Sequence, residues 1–198
     1  MSASPLAIAA SPARIRSETW YRALLALGGS WLVAALAQLE VHLPSTPVPV
    51  TGQTIGVLIV GAALGSWLGA ISLLLYLAQG ALGMPVYSGG DAGVGFLGLS
   101  SATGGYLWGF VIAAAIVGRL SEAGFDRSVP TSLAAMLVGE LVIYAVGVPW
   151  LMIALDVSFG TAVRLGVLPF VVGDALKLVV VGAAMPAAWK VKPLVDRR

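Results

Sequence analysis

TGQTIGVLIVGAALGSWLGAISLLLYLAQGALGMPVYSGG, residues 51–90, runs for forty residues without an Asp, Glu, Lys or Arg until Asp91. A single helix of that length would measure about 60 Å, twice the ~30 Å hydrocarbon core of a bilayer. The stretch therefore holds either one span with an apolar loop, or two short spans that turn at Gly65-Ser66-Trp67-Leu68-Gly69. The choice between them sets the number of passes, and with it the fold.

The rest of the chain supplies the context. Of its 198 residues 59% are hydrophobic and 10% charged, with a mean hydropathy of +0.96. A soluble domain carries about 25% charged residues, so this is an integral membrane protein, most simply a single domain. Four further spans are legible, at 22–39, 104–117, 131–151 and 168–189. Lys and Arg collect on cytoplasmic loops. Arg14, Arg16 and Arg22 precede the first span, and Lys190, Lys192, Arg197 and Arg198 follow the last. Both ends belong inside, which requires an even number of spans. Two spans in the middle give six, put Arg119 and Arg127 inside, and leave the outer segments 40–53 and 84–103 without Lys or Arg. Only Arg164, on an outer loop, disagrees.

The expected fold is an all-α integral membrane protein, a six-transmembrane-helix bundle with both termini cytoplasmic. Residues 1–21 read as a retained, mobile N-terminal tail, 22–190 as the membrane domain and 191–198 as a basic tail. The start lacks the basic-then-apolar pattern of a secretory signal. Zero cysteines exclude disulfides and thiolate metal sites, and one histidine excludes a two-histidine metal site. No cofactor or metal is expected. A net charge of +2 gives no case for nucleic acid.

Within the last span, Asp174 and Lys177 stand three residues apart. A charge at a span centre costs about 2.5–3.5 kcal/mol on insertion scales, so each needs a partner or a task. At this spacing both project from one helix face. Asp174 is a candidate acceptor for ligand N–H groups, and Lys177 a candidate donor to a carbonyl or carboxylate. Glu140 enters the fifth span about 14 Å along its path, near the level of Lys177. It either touches the ligand or serves as counter-charge to Lys177. Tyr144, one turn outward, can add a hydroxyl to the same cavity.

Two outer segments frame this region. LPSTPVPVTGQT, residues 43–54, is held extended by its prolines, and Thr51 and Gln53 place polar groups at the mouth of the second span. It reads as a cap over an outward-facing pocket. Residues 83–106 are dense in glycine and contain a literal GxGxxG at Gly93, Gly95 and Gly98. No βαβ unit surrounds it, so it is no dinucleotide fingerprint; irregular backbone at membrane depth instead lines a cavity. Ala26, Ser30 and Ala34 form a small-residue groove on the first span, suited to internal packing, a partner subunit or a second copy of this chain. No lysine follows a glycine, so the phosphate-cradling GxxxxGK[ST] loop is absent. ATP-driven uptake would need another subunit.

PVPVTGQT (47–54), GMPVYSGG (83–90), TGGYL (103–107) and GDALK (173–177) occur in this order, and together they resemble the BioY family, the biotin-specific S components of energy-coupling factor transporters. The resemblance spans about Ala23 to Trp189. It implies a bundle of the ECF S-component type in a bacterial cytoplasmic membrane. It also implies biotin as the transported ligand, docking on a membrane coupling (T) subunit carried by cytoplasmic ATPase subunits, and no enzymatic activity. It places ligand contacts at Asp174 and Lys177. Tyr87, Gly89, Gly90, Thr103 and Gly104, in the matching motifs, join Thr51, Gln53, Glu140 and Tyr144 as candidate ligand-binding residues. The family's AxxxA docking motif maps to Ser30–Ala34, with serine for one alanine. The rival readings are an S component for another small vitamin, a proton-driven carrier titrating at Glu140, and a membrane enzyme using Glu140 and Asp174 as acid and base.

Overall fold

A computed structural model describes residues 5–10 and 18–195. Its elements are α1 (Leu6–Ala10), α2 (Thr19–Ala37), β1 (Glu40–Val41), β2 (Val50–Thr51), α3 (Gln53–Ala81), α4 (Gly104–Glu122), α5 (Val129–Leu155), α6 (Phe159–Gly166) and α7 (Val171–Val195). Five of these, α2, α3, α4, α5 and α7, are long and apolar enough to cross a membrane. The chain is a multi-pass membrane protein.

The uncharged stretch resolves into two limbs. Gly65 interrupts α3 at φ +83°, ψ 179°, a backbone state that is almost confined to glycine. The chain folds back there. Gln53 Nε2 donates to the Tyr76 hydroxyl at 2.5 Å, although on a straight helix residues so far apart in sequence would be about 34 Å apart. Limbs 53–64 and 66–81 are each shorter than the ~20 residues of a full span. With both limbs counted, six helical segments pass between the ends of the bundle among the described residues.

The turn is pinned from below. Glu122, last residue of α4, accepts from the Ser66 N–H at 2.8 Å and from its hydroxyl at 2.9 Å. This satisfies a donor that every helix start leaves open. Gly118 lets α4 approach so closely that a Cβ there would lie 2.3 Å from the Gly65 carbonyl carbon. Pro5 also reaches this turn. Thus the start of the chain, the α3 turn and the α4–α5 connection share one end. The end of α7 joins them there, because Trp189 Nε1 donates to Asp126 Oδ2 at 2.6 Å and Arg127 lies 4.0 Å above the Trp189 ring. The other end carries the β1–β2 strap, segment 84–103 and α6.

Span boundaries shift: the first span starts at Thr19 where 22 was expected, and the last helix runs Val171–Val195 where 168–189 was expected. Within the expected tail, 1–21, a short helix lies against the bundle. Leu6, Ala7 and Ile8 are partly buried against the bundle, because the apolar run of α1 covers the exposed ends of α3 and α7. Arg14, Arg16, Arg197 and Arg198 lie outside the described residues.

Inside, a main core joins α2, α3, α4 and α5 through residues such as Val33, Val57, Leu73, Ala113 and Ile143. A second cluster of Leu58, Ala62, Val117, Met136, Val181 and Met185 fastens α7 to α3, α4 and α5. Outside, Leu24, Trp31, Leu74, Ile112, Leu141, Val172, Leu176 and Val180 are exposed. Such a continuous apolar exterior suits lipid, as a soluble surface does not.

The small-residue groove on α2 faces inward. Ala26, Ser30 and Ala34 are all buried by this chain's own helices, and Ser30 Oγ donates to Leu27 O at 2.8 Å. Neighbouring Gly29 sits so close to limb 66–81 that a Cβ would stand 2.7 Å from Ser72 Oγ. Within this chain the stripe packs as an internal α2–α3 contact. Small side chains serve there because they let two backbones approach.

Candidate functional site

The bundle encloses a cavity of about 190 Å³ beneath the strap, reaching down between α4, α5 and α7. Helical spacing aims its walls. Glu140, Ile143 and Tyr144 share one face of α5; Tyr106, Leu107 and Phe110 share one of α4; Phe170, Asp174 and Lys177 line up at the start of α7. Gln53 and Thr54 enter from the first turn of α3.

At the base, Lys177 Nζ is 2.9 Å from Asp174 Oδ1, with both side chains largely buried (13% and 7% exposed). The Tyr144 hydroxyl donates to Asp174 Oδ2. Both oxygens of Asp174 are thus occupied by partners that favour a carboxylate. Glu140, 4% exposed, lies one helical turn from Tyr144 on α5 and lines the same cavity base as Asp174, while Glu140 Oε2 has no hydrogen-bond partner among the described residues. Residues from two spans that are far apart in sequence therefore meet in one volume.

The upper wall is a built polar ladder. Thr51 Oγ1 donates to Gln53 Oε1 at 2.9 Å, and Gln53 Nε2 continues to Tyr76. Both ends of the Gln53 amide are in use, so it holds the strap to α3 as well as facing the cavity. The antiparallel pairs Glu40↔Thr51 and Val41↔Val50 lay the proline-rich strap across the mouth. Glu40 accepts from the Ser88 hydroxyl, and Gln38 Nε2 donates to Tyr87 O at 3.1 Å. These bonds tie the strap to the glycine-rich segment.

Tyr87 anchors that segment. Its hydroxyl donates to Leu77 O at 2.7 Å, and its ring packs edge-on to Tyr76 and against Phe96, each with centroids 5.6 Å apart. Burial pushes its phenol up to about 12, ahead of an opposing backbone hydrogen bond, so it is a neutral donor at any physiological pH.

Of the sequence candidates, Asp174, Lys177, Glu140, Tyr144, Thr51, Gln53, Tyr87 and Thr103 line the cavity. Gly89, Gly90 and Gly104 do not. Gly89 abuts the Glu40 carboxylate and Gly90 is nearest Gln38, while Gly104 is covered by Trp150 and the Phe96 and Gly98 carbonyls. Their task is to shape backbone behind the wall. Sequence reasoning missed Glu40, Asp91, Phe96, Tyr106, Phe110 and Phe170 as lining residues. The Tyr106–Phe110 spacing of four was a usable signal; Glu40 and Asp91 gave none, since loop closure puts them there. His42 rims the mouth 3.6 Å from Glu40 Oε1 and stays 74% exposed. No cluster of metal-ligating side chains occurs among the described residues.

The arrangement is a mostly apolar hollow, open at its mouth, with one ion pair, several hydroxyls and aromatic walls. It can hold a small ligand that has both apolar and hydrogen-bonding parts. The family model described as "BioY family" matches residues 10–194. A biotin transporter BioY of Rhizobium etli is 35% identical, covering 88% of this chain and 96% of that one. A biotin transporter BioY of Rhodobacter capsulatus is 36% identical over 82% of this chain and 92% of that one. Among solved structures, the crystal structure of the S-component for biotin from an ECF-type ABC transporter superposes with a TM-score of 0.77. It covers 87% of this chain and 93% of that chain at 22% identity, a likeness of fold. By the extent of the family match and the near-full-length relatives, the chain belongs to the BioY family.

Proposed function

We propose that this protein captures biotin in the cavity under the strap and is the substrate-binding S component of an ECF-type ABC transporter. It is a transporter-family protein and performs no chemistry. The observation that carries the reading is the Asp174–Lys177 pair at 2.9 Å, buried at the base of a hollow in a BioY-family chain. Biotin offers ureido N–H donors, a ureido oxygen and a carboxylate on an apolar frame. The pair supplies an acceptor and a donor, and Tyr106, Phe110 and Phe170 supply apolar wall.

The end bearing Arg22, Arg119, Arg127 and Lys190 is the cytoplasmic one, and the strap faces outward, by the bias of Lys and Arg. Arg164 on α6 remains the exception. Energy comes from cytoplasmic ATPase subunits through a membrane coupling subunit, since no nucleotide loop is encoded here. Co-purification with a coupling module would support that assembly.

The test is equilibrium binding of labelled biotin to the purified chain and to Asp174→Asn and Lys177→Ala. Truncating Lys177 should cost at least about 2 kcal/mol, or about 30-fold, because a desolvated contact is lost and an acid is left unpaired. Unchanged affinity in both variants would refute the site. Tight binding of a different vitamin in place of biotin would refute the ligand.

A further inference from the structure

The cavity wall carries four carboxyl groups, from Glu40, Asp91, Glu140 and Asp174. Among the described lining residues, the cationic side chains to set against them are Lys177 and, when protonated, His42. Such a wall should repel an anionic ligand unless some of its charge is absent. Glu40 and Asp91 stand at the mouth, where water screens them. The two deep acids have no such help.

Geometry says which of the deep acids is neutral. Glu140 shares its helix face with Tyr144, which bonds Asp174; two carboxyls brought together this way, away from water, cannot both stay ionised without strong repulsion. Asp174 has a lysine on one oxygen and a tyrosine hydroxyl on the other, so its charge is supported twice. Glu140 is buried with Oε2 unpartnered, and it lines the cavity. A carboxylate with a bare, buried oxygen is costly; a carboxylic acid there has a proton to donate. The titratable groups that share the deep cavity wall with Glu140 are Asp174 and Lys177 from α7, Tyr144 on its own helix and Tyr106 from α4. The first turn of α3 contributes the uncharged Gln53 and Thr54; Glu40, His42 and Asp91 face it from the mouth.

We propose that Glu140 is a specificity-determining residue that works as a neutral acid, sharing its proton with Asp174 in the empty site and donating it to an acceptor oxygen of the bound ligand. Binding of a carboxylate-bearing ligand is thereby linked to one proton. This rests on the biotin reading for its ligand, though the proton itself does not.

Infrared spectroscopy of the unliganded protein at neutral pH reads the proton directly. The wild type should show a protonated-carboxyl band that shifts in heavy water and is missing in Glu140→Gln. The band should also vanish in Asp174→Asn, where Glu140 is left to pair with Lys177 as a carboxylate. Absence of the band in the wild type, or its persistence in either variant, overturns the proposal. Biotin affinity measured against pH supplies the second readout. Wild-type affinity should fall by up to about tenfold per pH unit once the shared proton titrates. Glu140→Gln, whose amide is a permanent donor, should stay within about threefold of the wild-type low-pH value and show no such slope. Equal slopes in the two proteins overturn the proposal. If biotin fails to bind the wild type at any pH, the ligand reading falls, and the infrared band alone decides the proton.

Discussion

Glu122 closes α4 by capping Ser66, taking the Ser66 N–H at 2.8 Å and its hydroxyl at 2.9 Å on the same oxygen. One carboxylate therefore anchors the start of a helix on a neighbouring hairpin. Loss of a cap costs about 0.5–2 kcal/mol. Glu122→Ala should lower the melting temperature of the detergent-solubilised protein more than Ser66→Ala, which removes only the hydroxyl bond. Glu122→Gln, still an acceptor, should fall closest to wild type. A loss in Glu122→Gln as large as in Glu122→Ala would show that the charged Arg119 contact at 3.3 Å, and not the cap, is what Glu122 provides.

The fold-back at Gly65 makes a sharper demand. At φ +83° an L-residue is strained, and an added Cβ would meet Pro5 Cγ at 2.5 Å and Glu122 Oε1 at 2.6 Å. Gly65→Ala should destabilise by about 1–3 kcal/mol from backbone strain alone. Gly83→Ala, also at positive φ (+94°) but with nothing within 4 Å, should cost less. Thermal unfolding of the two variants side by side checks the difference.

Tyr87 depends on the bareness of Gly80. A Cβ at Gly80 would lie 2.1 Å from the Tyr87 ring, so Gly80→Ala must unseat the tyrosine and the segment it anchors. Overpacking of this kind costs about 1–3 kcal/mol. Tyr87→Phe forfeits only the bond to Leu77 O, about 1 kcal/mol. Biotin titration should show a larger affinity loss for Gly80→Ala than for Tyr87→Phe, and equal losses would mean the ring position is not what matters.

At the opposite end, Asp126 is buried beneath Trp189 and Arg127. Burial raises its carboxyl above the usual aspartate range, outweighing the Trp189 hydrogen bond and the Arg127 charge, which lower it. The folded state thus holds this proton more tightly than the unfolded chain does. The linked stability is fully present below the ordinary aspartate value and is lost as pH rises through the raised one. Asp126→Asn keeps an acceptor for Trp189 and removes the titration. Melting temperature against pH should therefore decline more steeply in wild type than in Asp126→Asn across that acidic window. Parallel profiles would dispose of the account.

The α2 groove gives a fifth outcome. Since Ala34 is buried against this chain's own helices, Ala34→Leu should destabilise the isolated protein by about 1–3 kcal/mol through overpacking. A variant that unfolds normally yet fails to assemble with a coupling module would assign the stripe a docking role.

Much of the architecture was legible because its signals are local. The charge-free run 51–90 was too long for one span, and the Arg and Lys at both ends required an even count. Gly65 was the first residue of the turn, 65–69, that these demanded. The Asp174–Lys177 pair was readable because three residues on a helix fix a face. Other features had no local signal. The register that hangs Glu40 and Asp91 over the mouth depends on loop closure, and the inward turn of Ala26, Ser30 and Ala34 depends on helix rotation. A helix that is apolar on every side carries no stripe to say which face meets protein and which meets lipid.

Hydropathy and the placement of charge add up along the chain, so the linear sequence by itself determined a membrane bundle, its number of passes and an ion pair in need of a polar setting. Tertiary packing decided that Glu140 on α5 stands beside Asp174 on α7 with one oxygen left bare. That relation exists only once two helices, thirty-odd residues apart in sequence, are rotated and pressed together, because van der Waals fit between whole faces, and not any local pattern, sets which side chains meet.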